Sequence, residues 1–329
     1  MPVATALVLC PPMLYYDRQL PLELATLLLP GQPLAWLVEY VRADSRLRIE
    51  FRRADQKRRW GSIQIYQGRT SPLEVLGQAT ASVKISADED YRKHRPDLFV
   101  GALDPSHIEL ELRRHLALCT AAARAQFTEG EGAIHNALLR RYGLLYRDDD
   151  PLVAVDSEVR IGFRKDDRFR TGSEHRDAHL RHLKRDLGVT AERGHTKLDG
   201  LGILSSGELA LVEVKDEHGD IGTAARQLAA HLYTFGVLLK QSGDAAEAIN
   251  GLVAQKVRCG LIPTTKPLPR LTHSELVAAI AAPEPPSSDW VQRWRAGIGH
   301  HLKMVPGVSF RVELWRLSTS GEIAESQHL

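Results

Sequence analysis

The chain of 329 residues uses little cysteine and contains no long apolar run. Its three cysteines, Cys10, Cys119 and Cys259, are far apart and odd in number. That argues against a disulfide framework and against a cysteine-rich zinc site, and it fits a reducing cytosol. No stretch approaches the ~20 apolar residues that a membrane-crossing helix needs. The expectation is a cytoplasmic protein with no membrane partner. Net charge is only +2, so overall charge gives no argument for nucleic-acid binding, and any such case rests on local patches. Several catalytic signatures are also missing. There is no Gly-x-Ser-x-Gly, no Walker phosphate loop, no Rossmann glycine fingerprint and no His-Glu-x-x-His.

What is present is ordinary for a globular protein: 43% apolar and 26% charged residues. The length favours two domains, or one large domain with additions. Residues 1–106 read as a β-rich N-terminal domain, suited to recognising substrate or a partner. Its apolar start ends at Pro11-Pro12 and reads as a buried strand rather than a signal peptide. "PLAWLVEYV" at 33–41 predicts a strand, while "RLRIEF" at 46–51 and "SIQIY" at 62–66 alternate with period two and predict a hairpin or a longer β-connection. "ATASVKI" at 79–85 predicts a further strand. From 107 the pattern changes. Helices are predicted from 107, with Ser106 placed as N-cap, and at 130–142, 173–187 and 223–241. Strands are predicted at 152–163, on both sides of the turn Ser205-Ser206-Gly207, and at 255–263. Residues 282–329 form an extension with a linker, a helix and a last strand. This order predicts an α/β fold, a mixed central sheet flanked by helices.

One stretch, "ELALVEVKDEHGD" at 208–220, carries chemistry. An apolar strand ends in the chain's one Glu-x-Lys, and buried charge is costly unless paired or metal-bound. Residues two apart on a strand share a face, so Glu213 and Lys215 project together. A hairpin turn at 205–207 would return Asp199 beside Glu213. Two carboxylates that close repel unless a cation lies between them. Asp199, Glu213 and the Val214 carbonyl would suit Mg²⁺, a hard ion that takes oxygen ligands. Lys215 would position or deprotonate water and stabilise negative charge on a phosphate.

These residues resemble the PD-(D/E)xK nuclease superfamily. "LDG" at 198–200 and "LALVEVK" at 209–215 are similar to its catalytic hairpin, and the resemblance covers about residues 107–265. It implies a restriction-endonuclease-like core, a further acidic metal-site residue at Glu131 on the preceding helix, with Glu129 a rival, and a helper Gln227 on the following helix. It implies a Mg²⁺-dependent nuclease, with Mn²⁺ substituting, acting on DNA more than RNA in defence, repair or mobile-element processing. Where some members carry tyrosine four residues after the glutamine, this chain has His231, and residues 164–197 form a long insertion. The alternative is a non-catalytic nucleic-acid-binding or assembly protein that keeps this fold. A homodimer and a protein partner for the N-terminal region are left open.

For a phosphate backbone the sequence offers Arg46, Arg48, Arg52, Arg53, Lys57, Arg58 and Arg59 on the first hairpin, with Trp60 and Tyr66 nearby. The competing reading is a charged hairpin that blunts a sheet edge. Arg164 and Lys165 lead a second basic region at 160–186. Within it His175, His179 and His182 share one helical face, which reads as a solvated basic face rather than a zinc site. The whole functional reading requires that the strands carrying Asp199 and Glu213 pair.

Overall fold

A computed structural model describes residues 14–52, 61–78, 82–99, 101–121, 130–159, 161–163, 197–216, 221–241, 243–272, 275–283 and 308–328, with isolated helical residues near 177–184 and 291–296. The fold is mixed α/β, with two multi-stranded sheets flanked by helices.

The first sheet is an antiparallel meander of five strands: β2 (Leu47–Arg52), β3 (Ser62–Gln67), β4 (Thr70–Gly77), β5 (Val83–Ser86) and β6 (Ala102–Leu103), after a two-residue β1 (Leu14–Tyr15). The second has six strands in the order β13-β12-β11-β10-β9-β7: β7 (Leu152–Val159), β9 (Leu198–Leu204), β10 (Leu209–Val214), β11 (Leu276–Pro283), β12 (Phe310–Leu317) and β13 (Ile323–His328). A short β8 (Gly162–Phe163) pairs with β1. In the six-stranded sheet β7, β9 and β10 run antiparallel, whereas β11 is parallel to both β10 and β12.

After α1 (Leu22–Thr26), whose Ala25 O meets Cys259 Sγ at 3.6 Å, helices α2 (Trp36–Ala43), α3 (Glu89–Arg92) and α4 (Glu109–Ala121) accompany the first sheet. Helix α5 (Gly130–Arg141) precedes β7, and α6 (Ile221–Gln241) with α7 (Gly243–Arg258) makes the crossover from β10 to β11. A parallel connection needs such a crossover. Along α6, Ala224, Ala225, Leu228, Leu232, Phe235 and Leu238 are buried, a helical stripe facing the sheet. One apolar cluster runs from Leu37, Ile49 and Ile63 through Val153 and Leu211 to Leu228 and Ile280, so the two sheets share a core.

Four expectations are corrected. Residues 33–41 are a turn leading into α2, not a strand. Leu37, Val38 and Val41 bury one helical face, and Trp36 meets Tyr40 edge-to-face at 5.9 Å, the i,i+4 neighbours of a helix. Residues 255–263 are the end of α7 and its stop. Gly260, at φ +73°, caps the helix, with Leu261 N donating to Lys256 O at 2.9 Å and Gly260 N to Val257 O at 2.9 Å. The next strand is instead β11, which the sequence reading passed over, as it did β4 and β13. Ser106 does not cap through its side chain; its N–H donates to Asp104 Oδ1 at 2.9 Å in a short 3₁₀ turn before α4.

The fourth correction concerns charge. All six residues of β2 are buried. Arg48 and Arg52 therefore do not face solvent, where a nucleic-acid backbone would need them. Arg52 Nη1 lies 2.9 Å from Asp156 Oδ1 on β7, Arg18 Nε lies 3.2 Å from Asp156 Oδ2, and Tyr16 donates to the same oxygen at 3.0 Å. Lys256 of α7 bonds Glu50 at 2.7 Å, and Arg48 stacks over the Tyr66 ring at 4.4 Å. The polar face of the strand is spent on docking the first sheet against the second. Arg46 is more exposed but is taken by Asp44, 2.8 Å away. Arg53, Lys57, Arg58, Arg59, Arg164, Lys165, His175, His179 and His182 lie outside the described residues.

Burial alone would raise the Asp156 pKa, but Arg18, Arg52 and Lys256 outweigh it and hold the carboxyl below its ordinary value. A depressed carboxyl stabilises the fold fully above the unfolded pKa of ~3.9 and loses that contribution as pH falls through the folded value. Asp156→Asn leaves buried guanidinium charge uncompensated, and urea unfolding at pH 7 should show a loss of about 3–5 kcal/mol. The gap between wild type and variant should close as pH falls below about 3.9. An unchanged unfolding midpoint at pH 7 would contradict the docking role.

Candidate active site

The β9–β10 hairpin is set by two apolar strands and the turn between them. Gly207 sits at φ +89°, where a glycine is favoured, and its N–H donates to Leu204 O at 2.8 Å. The register pairs Leu209 with Ile203 and Val212 with Gly200, so Asp199 and Glu213 are the next residues along the two strands. The expected pairing is present. Val212 and Val214 pack with Leu138, Leu139 and Trp315 on one face of the sheet, which sends Glu213 to the other. Asp199 Oδ2 accepts from Val214 N at 3.0 Å, and this bond prolongs the ladder past its last backbone pair. Val214 thus meets Asp199 through its N–H. Lys215 N donates to Ala281 O at 3.0 Å, fixing the lysine backbone against β11.

The side chains converge. Lys215 Nζ lies 3.7 Å from Glu213 Oε2 and 3.3 Å from Glu131 Oε1, at the first turn of α5. Glu131 is thus brought beside Lys215, and Glu129 lies outside the described residues. From α6, His231 Nε2 reaches to 3.5 Å from Glu213 Oε1. Gln227 is one turn earlier on the same helix, half-buried, with an Oε1 that has no hydrogen bond among the described residues. Glu213 is 1% exposed, and its Oε1 likewise accepts none.

Three participants were not anticipated. His135, one turn after Glu131 on α5, donates from Nε2 to Asp199 O at 2.7 Å. Its i,i+4 spacing from Glu131 was the available signal. Glu213 selects His231, whose place on the helix was noted but not its partner. Arg69, on the β3–β4 turn, pairs closely with Glu131 and lies 3.6 Å from Asp199 Oδ1; nothing local in the sequence marks it.

The electrostatics follow from burial and crowding. Burial, then the neighbouring Asp199, pushes the Glu213 carboxyl well above its ordinary range. For Asp199 burial acts upward, but His135, then Lys215, Arg69 and the Val214 N–H outweigh it and lower its pKa. Lys215 stays protonated: burial lowers its pKa, yet Glu213, Asp199 and Glu131 raise it overall. Burial and Arg48 push His135 down to about 4, so it is neutral. Among the described residues no three His, Cys, Asp or Glu side chains form a preassembled metal cluster; here two cations, Arg69 and Lys215, hold the acids.

Neither protein-family models nor curated proteins nor solved structures yield a match to this chain. The site is therefore argued from its own geometry.

A carboxyl with a raised folded pKa favours the fold below the unfolded value of ~4.3, and that contribution is lost as pH rises through the folded value. Glu213→Gln keeps the shape and removes the charge. Its melting temperature in EDTA should match wild type near pH 4 and exceed it at pH 8. A lower melting temperature for the variant at pH 8 would show that Glu213 is not under this electrostatic strain.

Proposed function

We propose that this chain is a metal-dependent phosphodiesterase that cleaves nucleic acid. The observation that carries the reading is the pairing of the two strands that carry Asp199 and Glu213, with Lys215 on the same face as Glu213 and 3.7 Å from it. The order helix, three antiparallel strands, helix, parallel strand, made by α5, β7, β9, β10, α6 and β11, supports the resemblance to PD-(D/E)xK nucleases. The preference for DNA over RNA rests on that resemblance alone.

The donor set fits a divalent cation. A buried carboxylate oxygen without a hydrogen bond among the described residues, Glu213 Oε1, stands beside a second carboxylate. Both are hard oxygen donors, as Mg²⁺ or Mn²⁺ requires. Asp199, Glu213 and the Val214 carbonyl would hold the ion, with Glu131 as the further acid. When bound, the ion supplies an activated water and neutralises charge on the phosphate.

The remaining work falls to the chain's own side chains. Lys215, held protonated by its acidic neighbours, donates hydrogen bonds to a phosphate oxygen as negative charge develops there. Its backbone bond to β11 keeps that ammonium in place through the reaction. Asp199 is oriented by the Val214 N–H, and His135 ties α5, hence Glu131, to the same strand. His231 lines the α6 side of the site, with Gln227 one turn earlier on the same helix.

Lys215→Ala should lower cleavage by about 10²-fold or more. The assay uses circular, linear and single-stranded DNA, and RNA, each with Mg²⁺, Mn²⁺ or EDTA. Metal-dependent cleavage lost in the variant is the expected result. Equal cleavage by the variant, or cleavage of no substrate, overturns the reading; binding without cleavage would favour the non-catalytic nucleic-acid-binding alternative.

A further inference from the structure

The β3–β4 turn belongs to the five-stranded sheet, yet its Arg69 guanidinium lies among the acids of the six-stranded one. Nη2 pairs closely with Glu131 Oε1 and lies 3.6 Å from Asp199 Oδ1. The turn that delivers it is tightly held. Gly68 adopts φ +57°, its carbonyl accepts from the buried Arg48 at 2.5 Å, and Thr70 Oγ1 donates to Gln67 O at 3.0 Å. Tyr91 OH bonds Gln67 Oε1 at 3.1 Å and lies 2.9 Å from Thr70 Oγ1. Helix α5 meets the turn at Gly132, where an added Cβ would lie 3.8 Å from Gly68 Cα. The side chain itself is 49% exposed, so one side of the guanidinium faces the acids and the other faces solvent.

Both partners of Arg69 are carboxylates assigned above to the metal. A guanidinium and a divalent cation repel when they share the same carboxylates, and the half-exposed side chain has solvent on its other side to turn toward. The ligand that fits a half-exposed, planar guanidinium at the mouth of this site is a phosphate, which accepts two parallel N–H bonds. We propose that Arg69 exchanges partners: it neutralises Glu131 and Asp199 in the metal-free protein and binds a phosphate of the nucleic acid once the cation takes those carboxylates. This rests on the nuclease reading. The first sheet then contributes a substrate-binding residue to a site otherwise built by the second. Metal and nucleic acid also assist one another, because each draws Arg69 from the position that hinders the other. Such coupling is reciprocal.

The test uses the full chain. Mn²⁺ is titrated by calorimetry into wild type, Arg69→Gln and Arg69→Lys without nucleic acid. Binding of a labelled DNA duplex is then followed over a range of salt with Mn²⁺, in a Lys215→Ala background that suppresses cleavage. Arg69→Gln should bind Mn²⁺ about threefold to fivefold more tightly, the worth of a partly exposed ion pair. It should bind DNA more weakly, with the salt slope reduced by about 0.9. Arg69→Lys should restore most of both properties. Unchanged or weaker Mn²⁺ affinity in Arg69→Gln, or an unchanged salt slope, overturns the exchange while leaving the nuclease reading intact. Wild type that takes up no Mn²⁺ overturns both.

Discussion

Two carboxylates forced together in a place with little water are the constraint around which this protein is arranged. The register of the β9–β10 hairpin sets Asp199 beside Glu213, and the apolar run before Glu213 locks that register into the sheet. A slip of one residue would turn every side chain of β10 to the opposite face. It would set Lys215 among Leu138, Leu139 and Trp315 and turn Val212 to the face that Glu213 now occupies. The apolar run that folds the strand is therefore also what holds the charges in place. The surroundings answer that charge: Lys215 from the strand end, Arg69 from the other sheet, a backbone N–H on Asp199. Such an arrangement is a poor way to gain stability and a sound way to bind a cation, in keeping with the trade between stability and activity at functional sites.

The second constraint is the joint between the sheets. Arg52, Arg18 and Tyr16 close on Asp156, while Lys256 closes on Glu50. Buried ion pairs add little net stability but penalise any arrangement that breaks them. They fix how the five-stranded sheet lies against β7 and α7, and with it the position of the turn that carries Arg69. Arg48 links the two directly, since it stacks on Tyr66 and also bonds the Gly68 carbonyl of that turn.

The β9–β10 hairpin was legible because its signals are local: an apolar run, a Ser-Ser-Gly turn, and a charged pair two residues apart. Helices α5 and α6 were legible from their apolar stripes. The segment at 33–41 misled because an apolar run with Trp36 and Tyr40 satisfies strand propensity as well as helical spacing. Strand β11 was hidden for the opposite reason. It is central, parallel and buried on both faces, so it reads as an unpatterned run of leucine, valine, isoleucine and alanine. The charges on β2 were legible as charges but not as buried ones, because Asp156 and Lys256, their partners, lie 104 and 206 residues away. Arg69 was silent for the same reason: an arginine after a turn glycine looks like any solvated loop residue until the fold brings Glu131 to it.

The central claim is that Asp199 and Glu213 together form a cation site. Crystals grown without metal and then soaked in Mn²⁺ test it most directly, through the anomalous scattering of the ion. The account predicts one strong peak between the Asp199 and Glu213 carboxylates, with Arg69 moved away from Asp199. No peak there at saturating Mn²⁺, with Arg69 and Lys215 still closed on the acids, would contradict it.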